Sequence, residues 1–179
     1  FDPSGCTDER IEELFRDTGA NFIVQEKIRQ HAALASLNPD SVNTVRILSL
    51  FLDGSVYIPN MYLRMGVPGT SHVETGSEYN VEILPDGHVS RKICFDEGCW
   101  LDNHTERIID EDFMIPGIDR ICAAVKKIHP RVGQLRWIGW DFTVDEDGDP
   151  VLIEFNTDRG DSAQRVCCRP LFGKMTDRV

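Results

Sequence analysis

Two β-rich runs, residues 44–52 and 55–65, meet at Asp53-Gly54, and that dipeptide constrains the fold more than any other feature of the 179-residue chain. Asp-Gly accepts the positive φ values of a two-residue hairpin turn, so the flanking runs return antiparallel. The pattern recurs twice. Val81-Glu82-Ile83-Leu84 enters Pro85-Asp86-Gly87 and returns as His88 to Phe95. Arg136 to Val144 enters a turn at Asp145-Glu146-Asp147-Gly148-Asp149-Pro150 and returns as Val151 to Phe155. Three hairpins, each closed by a short turn, predict an antiparallel sheet.

Two helices accompany it. Thr7 is an N-cap, Asp8 and Glu9 suit the positive end of a helix dipole, and Ile11, Leu14 and Phe15 share an apolar face that ends at Gly19. Pro116 suits a first turn before Ile118, Ile121, Cys122, Val125 and Ile128, and Pro130 stops that helix. Asn21-Phe22-Ile23-Val24 reads as a short strand, residues 96–112 as surface loop and residues 157–179 as a polar tail. No internal repeat or low-complexity linker is visible. The fold class is α+β, an antiparallel sheet with packed helices.

Charge narrows the partners. Nineteen Lys and Arg face thirty Asp and Glu, a net of −11. Such a surface repels phosphate backbones and anionic lipid, so neither nucleic acid nor membrane is an expected partner. No run of about 18 apolar residues predicts a membrane span, and Phe1-Asp2-Pro3 does not read as a secretory leader. The six cysteines lack a C-x-x-C pair and read as reduced thiols of a cytoplasmic protein, a Cys94–Cys99 pairing across a turn being the alternative. The oligomeric state is not legible.

The last hairpin carries the densest chemistry. Glu154 and Asn156 are two apart, so they share a face of an extended strand, and the turn brings Asp141 back opposite them. Two carboxylates and an amide oxygen are hard ligands suited to Mg²⁺. Seven acids and no Lys or Arg lie between Asp141 and Asp158. An ordinary solvated hairpin is the alternative. Asp145, Asp147, Gly148 and Glu154 also sit near calcium-loop spacing, but Thr143 stands in the first ligand position and the flanks are β-rich rather than helical.

Trp140-Asp141, followed thirteen residues later by Glu154-x-Asn156, resembles the metal-binding end of the ATP-grasp fold. Ile23-Val24-Gln25-Glu26-Lys27-Ile28 is similar to that fold's adenine-bordering strand. The stretch from Leu37 to Ile47, with Leu63-Arg64-Met65-Gly66, resembles the sugar-transfer-associated branch. The resemblance covers residues 21–165. It implies that Gln25, Glu26, Lys27 and Ile28 border the adenine of ATP. It also implies that Asp141, Glu154 and Asn156 hold Mg²⁺ against the β- and γ-phosphates. Arg46 and Arg64 would stabilise transferred phosphate, and Arg159 would orient an acceptor. Residues 1–179 then read as the C-terminal portion of an ATP-grasp domain, after a lobe that carries two Lys. The implied reaction activates a carboxylate as an acyl-phosphate for attack by an amine or similar nucleophile, in polysaccharide or secondary-metabolite synthesis, with ATP and a small-molecule carboxylate or sugar-linked acceptor as the partners. A kinase acting on a hydroxyl and a non-catalytic nucleotide-binding fragment are the rival expectations.

Overall fold

A computed structural model describes residues 7–20, 25–70, 73, 76–95, 98–106, 108–157 and 160–179. Helix α1, Asp8–Thr18, starts where the Thr7 hydroxyl accepts the Arg10 N–H and stops at Gly19, whose φ is 77°. No residue of α1 is buried, and Phe15 is 48% exposed, so its apolar face does not enter the core. A short helix α2, Ala32–Ala35, is capped by the His31 side chain, whose Nδ1 accepts the Ala33 N–H.

The first hairpin is β1, Thr44–Leu52, and β2, Ser55–Gly66. Asp53 and Gly54 have φ values of 51° and 74°, the paired positive angles that the Asp-Gly reading requires. The second is β3, Glu78–Ile83, and β4, Val89–Phe95. Then follow β5, Cys99–Asp102, helix α3, Asn103–Glu106, and helix α4, Ile118–Ile128, which runs into a 3₁₀ turn at His129–Val132 containing Pro130. Strands β6, Trp137–Val144, and β7, Pro150–Asn156, form the last hairpin, and helix α5, Asp161–Val166, precedes a 3₁₀ segment at Gly173–Arg178.

All seven strands join one antiparallel sheet in the order β5-β4-β3-β2-β1-β6-β7. Strand β1 lies inside the sheet and is buried along nearly its whole length. One face packs Val45, Ile47, Leu63, Val81, Ile93, Ile138, Trp140 and Phe142 with Leu34 of α2 and Ile121 and Val125 of α4. On that face Ser49 is a hub. Its hydroxyl accepts the Trp140 Nε1–H at 2.7 Å and bonds His129 Nδ1 at 2.7 Å, while His129 Nε2 faces the Leu135 carbonyl at 2.8 Å. The hydroxyl has one proton to give, so Nδ1 accepts and Nε2 donates, the arrangement of a neutral imidazole. The opposite face is polar at its middle and carries a smaller apolar cluster, in which Leu48, Tyr62 and Cys94 meet Ala163 and Val166 of α5 and Cys167, which caps its end.

Several sequence expectations change. The stretch 96–112 is not simply loop: β5 pairs with β4, and Asn103 ties Ile109 down by accepting its N–H and donating to its carbonyl. Edge pairing of this kind is made by backbone, so side-chain periodicity carries little of its signal. The tail contains α5, whose small and apolar residues cover part of the polar face. Gly117, with φ 62°, caps α4, rather than Pro116 starting its first turn. Residues 21–24 lie outside the described residues. Gln25, Glu26, Lys27 and Ile28 have irregular, largely exposed backbone rather than strand, and pairing begins only at Gln30, which bridges Asp145. The acidic turn is flanked by strands, and Asp145 Oδ1 accepts the N–H groups of Asp147 and Asp149 at 3.1 and 2.7 Å, which closes a hairpin rather than a calcium loop. Among the described residues, Cys94, Cys99, Cys122, Cys167 and Cys168 form no disulfide with one another.

Candidate functional site

Ladder register builds the site. Glu82, Tyr62, Arg46, Asp141 and Glu154 stand directly opposite one another across β3, β2, β1, β6 and β7. Directly opposed residues of antiparallel strands project from the same face, so this is one row of side chains. The β6–β7 pairing contains a bulge. Phe142 faces Leu152 but Asp141 faces Glu154, and Ile153 is the extra residue. Without it Asp141 would face Ile153, and Glu154 would turn to the other side of the sheet.

Arg46 lies 9% exposed and Asp141 2% exposed. The Arg46 Nε–H donates to Asp141 Oδ1, and a second guanidinium nitrogen donates to Oδ2 at 2.6 Å, a two-point fork. Arg64 donates to Glu78 from Nε at 3.0 Å and from a terminal nitrogen at 2.8 Å, and its other terminal nitrogen is 3.8 Å from Asp141 Oδ1. Asn156 Nδ2 donates to Glu154 Oε1 at 3.2 Å and lies 3.5 Å from Asp141 Oδ2. Two guanidinium groups therefore face three carboxylates.

These environments shift the titrations. Burial pushes the Asp141 carboxyl above its ordinary value, against the pull of Arg46 and Arg64. The Asn156 hydrogen bond holds the more exposed Glu154 below its ordinary value, with help from Arg46 and Arg64. Burial raises the Tyr62 phenol to about 12, so Tyr62 stays protonated between the two arginines.

The sequence-derived set thus converges in part. Arg46, Arg64, Asp141, Glu154 and Asn156 share one polar face. Arg159 lies outside the described residues. Gln25, Glu26, Lys27 and Ile28 make no described contact with that cluster. Sequence reasoning missed Glu78, the partner of Arg64, and Tyr62, which the register seats beside Arg46. Tyr62 was findable, because it lies two residues before Arg64 on the same strand.

The donor set fits magnesium chemically, since Asp141, Glu154 and Asn156 offer only hard oxygen ligands on adjacent strands. Both Asp141 oxygens are presently engaged by Arg46, and no three His, Cys, Asp or Glu side chains gather to hold a metal among the described residues. The set is two carboxylates and an amide, with the Arg46 charge standing where a cation would. A cavity of about 370 Å³ lies elsewhere, lined by Val56, Ile58, Met61, Ile83, Cys122 and Lys126, and none of the five clustered residues borders it.

The family model described as sugar-transfer associated ATP-grasp matches residues 13–175 of this chain. No curated protein and no solved structure matches it.

Proposed function

The chain belongs to the sugar-transfer associated ATP-grasp family, and from that premise we propose that it is an ATP- and magnesium-dependent ligase that activates a carboxylate as an acyl-phosphate. The observation that carries this reading is the in-register row of Arg46, Asp141 and Glu154, with Arg64 beside it. It supplies two permanent cations and two carboxylates on one face, the parts that phosphoryl transfer needs.

In this proposal Asp141, Glu154 and Asn156 would hold the magnesium, which when bound offsets the charge of the β- and γ-phosphates. Arg46 exchanges its carboxylate partner for a phosphoryl oxygen, which frees the Asp141 oxygens as ligands. Guanidinium matches either partner with the same two-point geometry, so the exchange keeps its hydrogen bonds. Arg64, anchored by Glu78, brings its guanidinium beside Asp141 and so adds positive charge next to the reacting groups. The substrate carboxylate oxygen attacks the γ-phosphorus, a P–O bond forms, and the bond to the β-phosphate oxygen breaks with its electron pair leaving on ADP. An amine then attacks the acyl carbon, loses its proton to solvent, and inorganic phosphate departs. Gln25, Glu26, Lys27 and Ile28 bordering adenine, Arg159 orienting the acceptor, and a companion Lys-bearing lobe belong to the same proposal.

Trapping separates this reading from its rival. The chain is incubated with Mg-ATP, hydroxylamine and a panel of small carboxylic acids. ADP release with a hydroxamate product is expected, because hydroxylamine intercepts an acyl-phosphate. ADP with a stable phosphate ester would assign a kinase instead, and no ADP release with any acid would overturn nucleotide-dependent activation.

A further inference from the structure

Tyr62 is the uncharged member of the in-register row. It stands directly opposite Arg46 across the β1–β2 ladder and two residues before Arg64 on β2, so the three side chains leave the same face of the sheet as neighbours. Its ring packs with Leu48, Cys94, Ala163 and Val166, which fixes its direction and leaves the residue only 3% exposed. The phenolic oxygen at its tip lies within electrostatic reach of Arg46, Arg64, Asp141 and Glu78.

That hydroxyl is unused by the fold. Among the described residues it has no hydrogen-bond partner, and it is not one of the polar atoms sealed from solvent. The reason lies in its neighbours. Arginine only donates, so neither guanidinium can take the phenolic proton. The two carboxylates within reach are each gripped by an arginine, Asp141 by Arg46 and Glu78 by Arg64. Burial meanwhile keeps the proton on the oxygen. A donor without an acceptor is thus held between two cations, where Arg46 is to exchange its carboxylate for a phosphoryl oxygen.

We propose that the Tyr62 hydroxyl donates a hydrogen bond to the transferred γ-phosphoryl group of ATP, as a neutral third donor between Arg46 and Arg64. This deepens the ligase reading and rests on it for the position of the phosphoryl group. A phosphoryl group in transfer spreads its charge over three non-bridging oxygens, so three converging donors match it. A third buried cation in the place of Tyr62 would repel both arginines before the nucleotide arrives, whereas a phenol adds a donor without adding charge. Tyr62 therefore touches the γ-phosphoryl group and not the rest of the nucleotide.

The test uses Tyr62→Phe, which keeps the packed ring and removes a hydroxyl that bonds nothing in the chain. Its urea midpoint should equal that of the unsubstituted protein. Calorimetric titrations then compare Mg-ADP with the magnesium complex of adenylyl imidodiphosphate, which keeps the γ-phosphoryl oxygens and is not hydrolysed. Tyr62→Phe should weaken binding of the imidodiphosphate about tenfold or more, the worth of a hydrogen bond to a charged group, and leave Mg-ADP within about twofold. A merely structural hydroxyl would move the midpoint and both nucleotides together. A lowered midpoint overturns the assignment, because it would reveal a partner for the hydroxyl within the chain. Equal loss for the two nucleotides, or no loss for either, overturns it as well and leaves the nucleotide reading standing. No binding of either nucleotide by the unsubstituted protein removes the nucleotide reading itself, and the role of Tyr62 with it.

Discussion

The Arg46 guanidinium grips both carboxylate oxygens of Asp141 across the β1–β6 ladder, and both partners are almost wholly buried. A buried pair of this kind costs desolvation on both sides and is recovered only while both partners are present. Asp141→Leu should therefore lose about 3–5 kcal/mol in urea unfolding, because it strands a buried cation. The double variant Arg46→Met with Asp141→Leu should regain most of that loss and still lack nucleotide turnover. A double variant no more stable than Asp141→Leu would show that the pair holds this part of the sheet together for its own sake.

Glu154 separates binding from folding. It is exposed and its partner Asn156 lies on the same strand, so Glu154→Gln should change stability by no more than about 0.5 kcal/mol. Under the ligand assignment it should weaken magnesium-dependent nucleotide binding by at least about tenfold. Equilibrium dialysis at fixed ATP and varied Mg²⁺ measures this. Unchanged magnesium dependence sinks the assignment.

The pH dependence of stability has a visible source at His129. Burial lowers its pKa in the folded chain, while the unfolded side chain titrates near about 6.5. Between the two values the unfolded state binds more protons, so stability is complete above about pH 6.5 and declines as pH falls below it. Urea midpoints measured from pH 5 to 8 should show that decline, and His129→Gln should flatten it. A slope that survives the substitution assigns the dependence to the carboxylates.

Ser49 holds the same network from the other side. Ser49→Ala leaves the Trp140 N–H and His129 Nδ1 without their shared partner in the core. A loss of about 1–3 kcal/mol in chemical denaturation follows. A midpoint equal to that of the unsubstituted chain would mean that the two rings find other partners.

Thiol chemistry should follow burial. Cys167 is pushed up to about 12 by burial, and burial likewise raises Cys94 and Cys122. Among the described cysteines, Cys99 and Cys168 are exposed. Iodoacetamide at pH 8 should therefore label these two first, with the other three modified only after denaturant is added. Peptide mass spectrometry reads the order directly, and early labelling of Cys167 would contradict the packing of α5.

The hairpins were legible from residues alone because each depends on a local signal. Asp53-Gly54 sets its turn through backbone angles that few other pairs tolerate, and α1 is marked by Thr7 and Gly19 at its ends. The arginine partners were not legible. Glu78 lies fourteen residues from Arg64 and Asp141 lies 95 residues from Arg46, and no local pattern encodes contacts of that reach. Nor could periodicity reveal β5 or α5, whose placement depends on backbone pairing and on the surface that the rest of the sheet leaves to be covered.

What the sequence determined by itself is the antiparallel hairpin order and the two-residue spacing that sets Glu154 and Asn156 on a common face, since both follow from the period of an extended strand. Which face that is was decided by the tertiary structure. The bulge at Ile153 shifts the register by one residue, turns Glu154 toward Asp141, and seats the pair beside β1, where Arg46 neutralises a charge that the core would otherwise reject.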